Sequence, residues 1–135
     1  MLDAFVVPPN TIISSKGDSD VVDITTAAHR VFLLTLSITS TVEHESIDVT
    51  LLSSADGAAW DPKPVASLPQ KFYAGEYPLL VDLSASTDAR FVRAHWEVTR
   101  WGRGPTTPRF EVALRLREVS KEAWQEAQAE AQMLR

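Results

Sequence analysis

The chain of 135 residues has the length of one ordinary domain. Apolar residues make up 44% and charged residues 23%, which is typical of a soluble globular protein and excludes a disordered or collagen-like chain. The absence of cysteine excludes a disulfide framework, a thiol nucleophile and a cysteine metal site. With 13 basic and 18 acidic residues the net charge is −5, so we expect neither nucleic acid nor an anionic membrane as a partner.

The first nine residues, MLDAFVVPP, do not resemble a secretory signal. An acidic residue and a Pro-Pro pair interrupt the basic and apolar parts that such a signal needs. No apolar run approaches the roughly 20 residues that a helix needs to cross a bilayer. We therefore expect a cytoplasmic protein, or part of a particle assembled in the cytoplasm.

Alternation of apolar and polar residues dominates residues 1–119 and predicts β-strands. The clearest case is 109–119, where every even-numbered residue from Phe110 to Leu116 is apolar and is expected to face the core. The predicted strands are 11–14, 21–24, 31–39, 47–51, 77–83, 90–99 and 109–119. After the fourth of them, Asp56-Gly57 is a strong hairpin-turn signal. About seven strands with turn signals between them predict an all-β fold, either a sandwich or a barrel. Of the two we expect an antiparallel β-sandwich over 1–119.

Residues 120–135 change character. They contain no proline, glycine or β-branched residue, and Ser120 is a suitable N-cap for a helix. An apolar stripe follows at helical spacing, consisting of Trp124, Ala127, Ala131 and Leu134. A helix of this length is marginal alone in water. We expect it to pack either on its own domain or on a neighbouring subunit.

Metal and catalytic chemistry are weakly marked. His44 lies between two glutamates, and Asp18, Asp20 and Asp23 follow a glycine, but neither group has zinc-site or EF-hand spacing. We interpret both as exposed polar turns; calcium binding at the three aspartates stays an open alternative. Because the chain lacks a nucleophile elbow and a glycine-rich phosphate loop, we expect no enzyme activity and no cofactor.

An asymmetry of charge is the most informative feature. Residues 90–117 contain seven arginines and two glutamates, so seven minus two is +5, and the remaining residues carry −10. The loop 100–105 at the centre of this stretch combines arginine with tryptophan, which are typical hot-spot residues of protein interfaces. An internal brace, with the arginines paired to acidic groups, is the alternative. The predicted binding residues are Arg100, Trp101 and Arg103 in this loop and Trp60, Phe72 and Tyr73 in or near others.

The segment 51–60, LLSSADGAAW, resembles the signature of discoidin-like (coagulation factor 5/8 type C) β-sandwiches. Residues 89–93 and 111–119 are similar to later strands of that family, so the resemblance spans about 30–119. It implies a jelly-roll fold whose loops at one end often bind sugars or lipid head groups. The chain lacks the family's terminal cysteines and adds a C-terminal helix. Its PQKFY and RWGRG segments are also similar to short bacterial proteins without an assigned activity.

Two functions follow as expectations. The first is a non-catalytic structural or adaptor protein that acts through protein contacts, as a homo-oligomer or within a larger assembly. The alternative is a carbohydrate-binding module in which aromatic faces stack on sugar rings and a few polar groups orient the ligand.

Overall fold

A computed structural model of the chain describes residues 1–42, 45–101 and 108–120, together with positions 122, 123, 125, 126 and 129. These residues form an all-β sandwich of two antiparallel sheets packed together. Its strands are β1 (Asp3–Ile13), β2 (Gly17–Asp18), β3 (Val22–Asp23), β4 (Val31–Thr41), β5 (Glu45–Ser54), β6 (Ala66–Ser67), β7 (Gly75–Asp82), β8 (Phe91–Arg100) and β9 (Phe110–Glu118).

Within each sheet, most neighbouring strands are distant in sequence. Sheet A has the order β1-β9-β4-β7, and sheet B has the order β2-β8-β5-β6. Strand β3 also pairs with β8, at Phe91 and Val92, which precede the residues of β8 that pair with β2. Together β2 and β3 therefore form one interrupted edge of sheet B.

The predicted alternation of the long strands is confirmed. In β4 the even-numbered residues from Phe32 to Ile38 are buried, and in β9 so are those from Phe110 to Leu116. Side chains that alternate along a strand point to opposite faces of a sheet. The core therefore lies between the sheets, where these residues meet buried side chains of β5 and β8.

Strand β1 is much longer than predicted, since it begins at Asp3 rather than at residue 11. Its pairing with β9 shifts register twice, and Asn10 has a φ of 64°. Pro8 and Pro9 lie in this irregular part. Proline lacks the N–H of a ladder bond, but an edge strand with bulges tolerates it. Pro-Pro therefore hid the strand from a prediction based on alternation.

The Asp56-Gly57 turn opens a longer connection than a tight hairpin, because β6 begins only at Ala66. Gly57 has a φ of 81°, and Asp56 Oδ1 accepts the N–H groups of Ala58 and Ala59, both at 2.9 Å. The N–H of Ala59, followed by that of Ala58, holds the pKa of the Asp56 carboxyl below its ordinary value. The turn is thus closed by local polar contacts.

Replacing Gly57 by alanine should lower the free energy of unfolding by about 1 kcal/mol, because an L-residue pays that amount in the left-handed region. An added Cβ would meet Phe91 at an ordinary 3.6 Å, so the cost is backbone strain rather than a clash. Urea melts of both proteins measure it. Gly57→Asn is the control and should cost less, since asparagine tolerates this conformation. Equal losses for the two variants would contradict the explanation.

Most of the predicted helix over 120–135 lies outside the described residues. At its start, the Ala123 N–H donates to Ser120 Oγ at 3.1 Å, which is the contact expected of an N-cap.

Candidate functional site

Three aromatic side chains meet at one end of sheet B. Trp101 follows the last residue of β8, and Phe72 follows Lys71, which exchanges two backbone hydrogen bonds of 3.0 Å with Ile47 of β5. The Phe72 and Trp101 rings lie 5.9 Å apart at an interplanar angle of 72°, and the Phe72 and Tyr73 rings lie 6.3 Å apart. We call Phe72, Tyr73 and Trp101 the aromatic patch.

The aromatic patch faces solvent. Trp101 is 54% exposed, Tyr73 76% and Phe72 39%. Single exposed apolar residues are ordinary on a protein surface, whereas here three exposed aromatic rings adjoin one another. The patch combines residues of two loops that are separated by almost 30 positions in the sequence.

Neighbouring contacts hold the loop of Tyr73 in place. The Tyr77 hydroxyl donates to the backbone oxygen of Tyr73 at 2.6 Å. The ammonium group of Lys71 lies over the Tyr77 ring, 4.3 Å from its centroid. Tyr77 itself is half-buried against the core. The loop thus presents the exposed Tyr73 ring from a supported backbone.

A buried carboxylate organises the same end of the sandwich. Glu45 is 1% exposed, and its Oε1 accepts the Val42 N–H at 2.7 Å while its Oε2 accepts the Arg109 N–H at 2.8 Å. A charge in such surroundings is stabilised when donors satisfy both of its oxygens. Glu45 therefore ties the end of β4 to the start of β9 beside the patch.

Arg100, the last residue of β8, lies opposite Glu45 in the strand pairing. Its Nε and Nη1 atoms are buried and have no hydrogen-bond partner within the described ranges. Arg103, like the rest of 102–107, lies outside those ranges, and so does His44. Of loop 100–105, the structure therefore describes only Arg100 and Trp101. These two residues alone bear on whether the loop is an interface or an internal brace.

Trp60 belongs to a different place. The Arg93 guanidinium stacks on its ring, 4.4 Å from the centroid. Arg93 precedes Arg100 by seven positions of one strand, which is about 23 Å. The structure thus brings Phe72, Tyr73 and Trp101 together and leaves Trp60 near the other end. Sequence reasoning missed Arg93 as the partner of Trp60, although it lies in the arginine-rich stretch.

A row of ionisable side chains follows the outer face of sheet B. His95 Nδ1 lies 2.9 Å from Asp18 Oδ1, and His95 Nε2 lies 3.6 Å from Glu97 Oε1. Asp18 Oδ1 also lies 3.9 Å from Arg93 Nε. These side chains contact one another across β2 and β8, so they form a polar network on the surface of the sheet.

Asp18 in β2 and Asp23 in β3, two of the three aspartates that follow Gly17, have different partners. Asp18 contacts His95, whereas Asp23 Oδ1 accepts both the hydroxyl and the N–H of Thr25, and these two bonds lower the pKa of Asp23. Across the described part of the chain, no group of three or more histidine, aspartate or glutamate side chains is placed to hold a metal ion. The predicted alternative of calcium binding gains no support from this geometry.

Comparison with known proteins gives no family for the chain: no family model and no curated protein matches it. Within the described residues, no helix has both the length and the apolar character needed to cross a membrane. Fold and site together define the chain as an all-β sandwich with an exposed aromatic patch at one end of one sheet.

Proposed function

We propose that the protein is a non-catalytic structural or adaptor subunit that binds a protein partner, in the first place a second copy of itself, through the aromatic patch. The exposure of three adjoining aromatic rings carries this proposal. Tryptophan and tyrosine are enriched among the residues that supply most of the binding energy of interfaces. A partner that covers the patch would remove these rings from water.

The edges of the sheets support contact through side chains rather than strand addition. Edge strand β1 carries Pro8 and Pro9, and edge strand β7 carries Pro78. The edges of sheet B consist of the two-residue strands β2, β3 and β6. Prolines and short strands are the usual means by which sheets avoid pairing with another chain. The aromatic patch, which consists of side chains, does not depend on a free strand edge for association.

Carbohydrate binding is the weaker candidate. A sugar stacks on an open aromatic face, but Phe72 and Trp101 meet almost edge to face and form no continuous platform. The Trp60 ring is already stacked by Arg93. A protein partner with its own side chains fits an uneven aromatic surface better than a flat sugar ring does.

We also propose that the sandwich is a jelly roll of the discoidin-like kind. When β2 and β3 are counted as one strand, the first strand pairs with the last, the second with the seventh, the third with the sixth and the fourth with the fifth. A long antiparallel hairpin that rolls up into two sheets has this pairing, which supports the jelly roll. The discoidin-like assignment rests on the residues of 51–60.

Replacing Trp101 by alanine should weaken association by at least about 2 kcal/mol, roughly 30-fold in Kd. The melting temperature of the isolated subunit should barely change, because the ring is exposed. Sedimentation velocity over a range of concentrations measures self-association. Ile12→Ala is the matched control, since Ile12 is 45% exposed on the other sheet and should leave Kd unchanged.

Three results would contradict the proposal. A wild-type protein that stays monomeric at all concentrations and retains no protein on a column would remove the interface. A Trp101→Ala protein that melts several degrees lower and still associates would assign Trp101 to an internal brace. Specific glycan binding that is lost on the same substitution would favour the carbohydrate alternative.

A further inference from the structure

A pocket opens at the end of sheet B that lies opposite the aromatic patch. Strand β8 runs from Phe91 to Arg100 beside the patch, and Phe91 pairs with Ser54 of β5 about 30 Å from Arg100. Beyond that end, the loop after β5 and the loop before β8 enclose a pocket of about 380 Å³, which we call the far pocket. Ligand pockets usually have about 300–1,000 Å³, so the far pocket has room for a few side chains of a partner.

The far pocket combines small side chains with two carboxylates. Asp61 and Asp88 belong to its lining and are exposed. Neither has an ion-pair partner among the residues that the structure describes, and no described basic residue lines the pocket. The rest of the lining consists of alanine, serine, threonine and one valine, with Ala55, Ala59 and Ala85 among them. The far pocket therefore offers negative charge and open space to a partner.

The protein holds both walls of the far pocket in place. The Arg30 guanidinium donates to three backbone oxygens of residues 83–89, at 3.2, 2.8 and 2.6 Å. On the other wall, the Ser54 hydroxyl donates to the Ala59 oxygen at 2.6 Å. A surface that is already ordered loses little conformational entropy when a partner binds. The far pocket is therefore preorganised for binding.

The aromatic patch has charge of the opposite sign beside it. Lys71 and Arg100 each directly precede a residue of the patch, and Arg109 lies at the same end of the sandwich. Two described carboxylates of this end face elsewhere. Glu45 is buried and accepts two backbone N–H groups, and Glu76 lines a groove on the outer face of sheet A. The groups that a partner meets beside the patch are therefore basic.

These charges oppose a contact between two aromatic patches. Such a contact would set Lys71, Arg100 and Arg109 of one copy against the same groups of the other, and juxtaposed like charges oppose association. The far pocket of a second copy offers carboxylates instead. Within one molecule the two surfaces lie about 30 Å apart, so the patch cannot reach its own far pocket. The complementary surfaces can therefore meet only between copies.

We propose that the aromatic patch of one copy docks in the far pocket of a second copy, so that the protein associates head to tail. This inference rests on the proposed function, because it uses the same patch and names the surface that the patch binds. The exposed rings cover the small side chains of the pocket, and the basic groups beside the patch face Asp61 and Asp88. Each contact leaves one patch and one pocket free, so assembly continues beyond a dimer into an open filament or a closed ring.

Two variants of the full chain that complement each other test this docking. Trp101→Ala disables the patch, and Asp88→Lys disables the pocket and should raise the Kd of association at least about tenfold. In sedimentation velocity, each variant alone should stay monomeric at a concentration at which the wild type assembles beyond a dimer. An equimolar mixture should form a one-to-one heterodimer and no larger species, because one intact patch and one intact pocket remain.

Two further variants control the charge change. Asp20→Lys makes the same change at another exposed aspartate and should assemble like the wild type. Asp61→Asn keeps an oxygen that can accept the Lys63 N–H, so it removes charge from the pocket without breaking the loop, and it should weaken association as well. Circular dichroism checks that every variant is folded.

Salt provides a second, independent measurement on the wild type. The screening length falls from about 10 Å at about 0.1 M salt to about 3 Å at about 1 M. Assembly through opposite charges should therefore weaken as salt is added. Assembly that strengthens instead would contradict the head-to-tail contact, because screening favours a contact between two patches of like charge.

The outcomes separate this inference from the proposed function. A mixture of Trp101→Ala and Asp88→Lys proteins that stays monomeric would overturn head-to-tail docking, and so would an Asp88→Lys protein that assembles like the wild type. The proposed function would survive both results, since the patch could still bind another patch or another protein. A wild type that stays monomeric would overturn the docking too, and the proposed function falls with it only if the wild type also retains no protein on a column.

Discussion

Replacing Leu114 by alanine should lower the free energy of unfolding by about 2–5 kcal/mol, because it removes a buried side chain and leaves a cavity. Leu114 is 1% exposed in the middle of β9 and lies between Val7 of β1 and Leu36 of β4, both buried as well. Strands on both sides hold it, so the neighbours have little freedom to close the cavity. Urea melts of the wild type and the variant measure the loss.

The matched control is Glu111→Ala on the same strand. Glu111 points to the outer face of sheet A and is only partly buried, so its removal should change the free energy of unfolding by no more than about 0.5 kcal/mol. Losses of equal size for the two variants would show that β9 does not turn its even-numbered residues to the core.

Replacing Glu118 by alanine should cost about 3 kcal/mol, the second large effect that we expect. Glu118 is 2% exposed; its Oε1 accepts the Leu2 N–H at 2.8 Å and its Oε2 the His29 N–H at 2.7 Å. Hydrogen bonds to a charged acceptor each contribute about 1.5–3 kcal/mol, and buried N–H groups that lose their acceptor are destabilising. Urea melts of the wild type and the variant measure this loss as well. Glu111→Ala is again the control, and an equal loss for Glu118→Ala and Glu111→Ala would contradict the role of the two hydrogen bonds.

The same carboxylate makes stability depend on pH. Burial by itself raises the pKa of Glu118, but the N–H groups of Leu2 and His29 outweigh it, and the pKa lies below the ordinary 4.5. A group whose pKa is lowered by folding stabilises the protein above its ordinary pKa, and this contribution is lost as pH falls through the folded value.

A Glu118→Gln protein checks this sign. It should be less stable than the wild type at pH 7, and the difference should shrink as pH falls below about 4.5. Melts at a series of pH values follow the difference. A difference that stays constant down to acidic pH would show that the charge of Glu118 contributes nothing.

Some of the fold is readable from the order of residues alone. Alternation identified β4 and β9 and their core-facing residues, because a strand with one buried face imposes period two on its own sequence. The Asp56-Gly57 turn was also readable from the sequence. The positive φ of Gly57 and the hydrogen bonds of the Asp56 carboxylate act within a few residues of the chain. Such signals need no knowledge of the rest of the chain.

Other features depend on segments that are distant in sequence. The Pro-Pro pair in β1 contradicts local strand rules and is accepted because β1 is an edge beside β9. The stacking of Arg93 on Trp60 arises only when the loop after β5 folds over the face of β8. Neither contact leaves a periodic signal, because no local spacing relates the two partners.

The order of residues was enough to identify an all-β fold, the buried residues of β4 and β9, and Ser120 as the cap of the turn after the last strand. Which exposed aromatic residues meet became visible only in the folded chain, where Trp101 joins Phe72 and Tyr73 and Trp60 does not. Burial and turn formation act on each strand locally, whereas a surface patch depends on which strands pair. That pairing, first strand with last, is set by the packing of the two sheets as a whole.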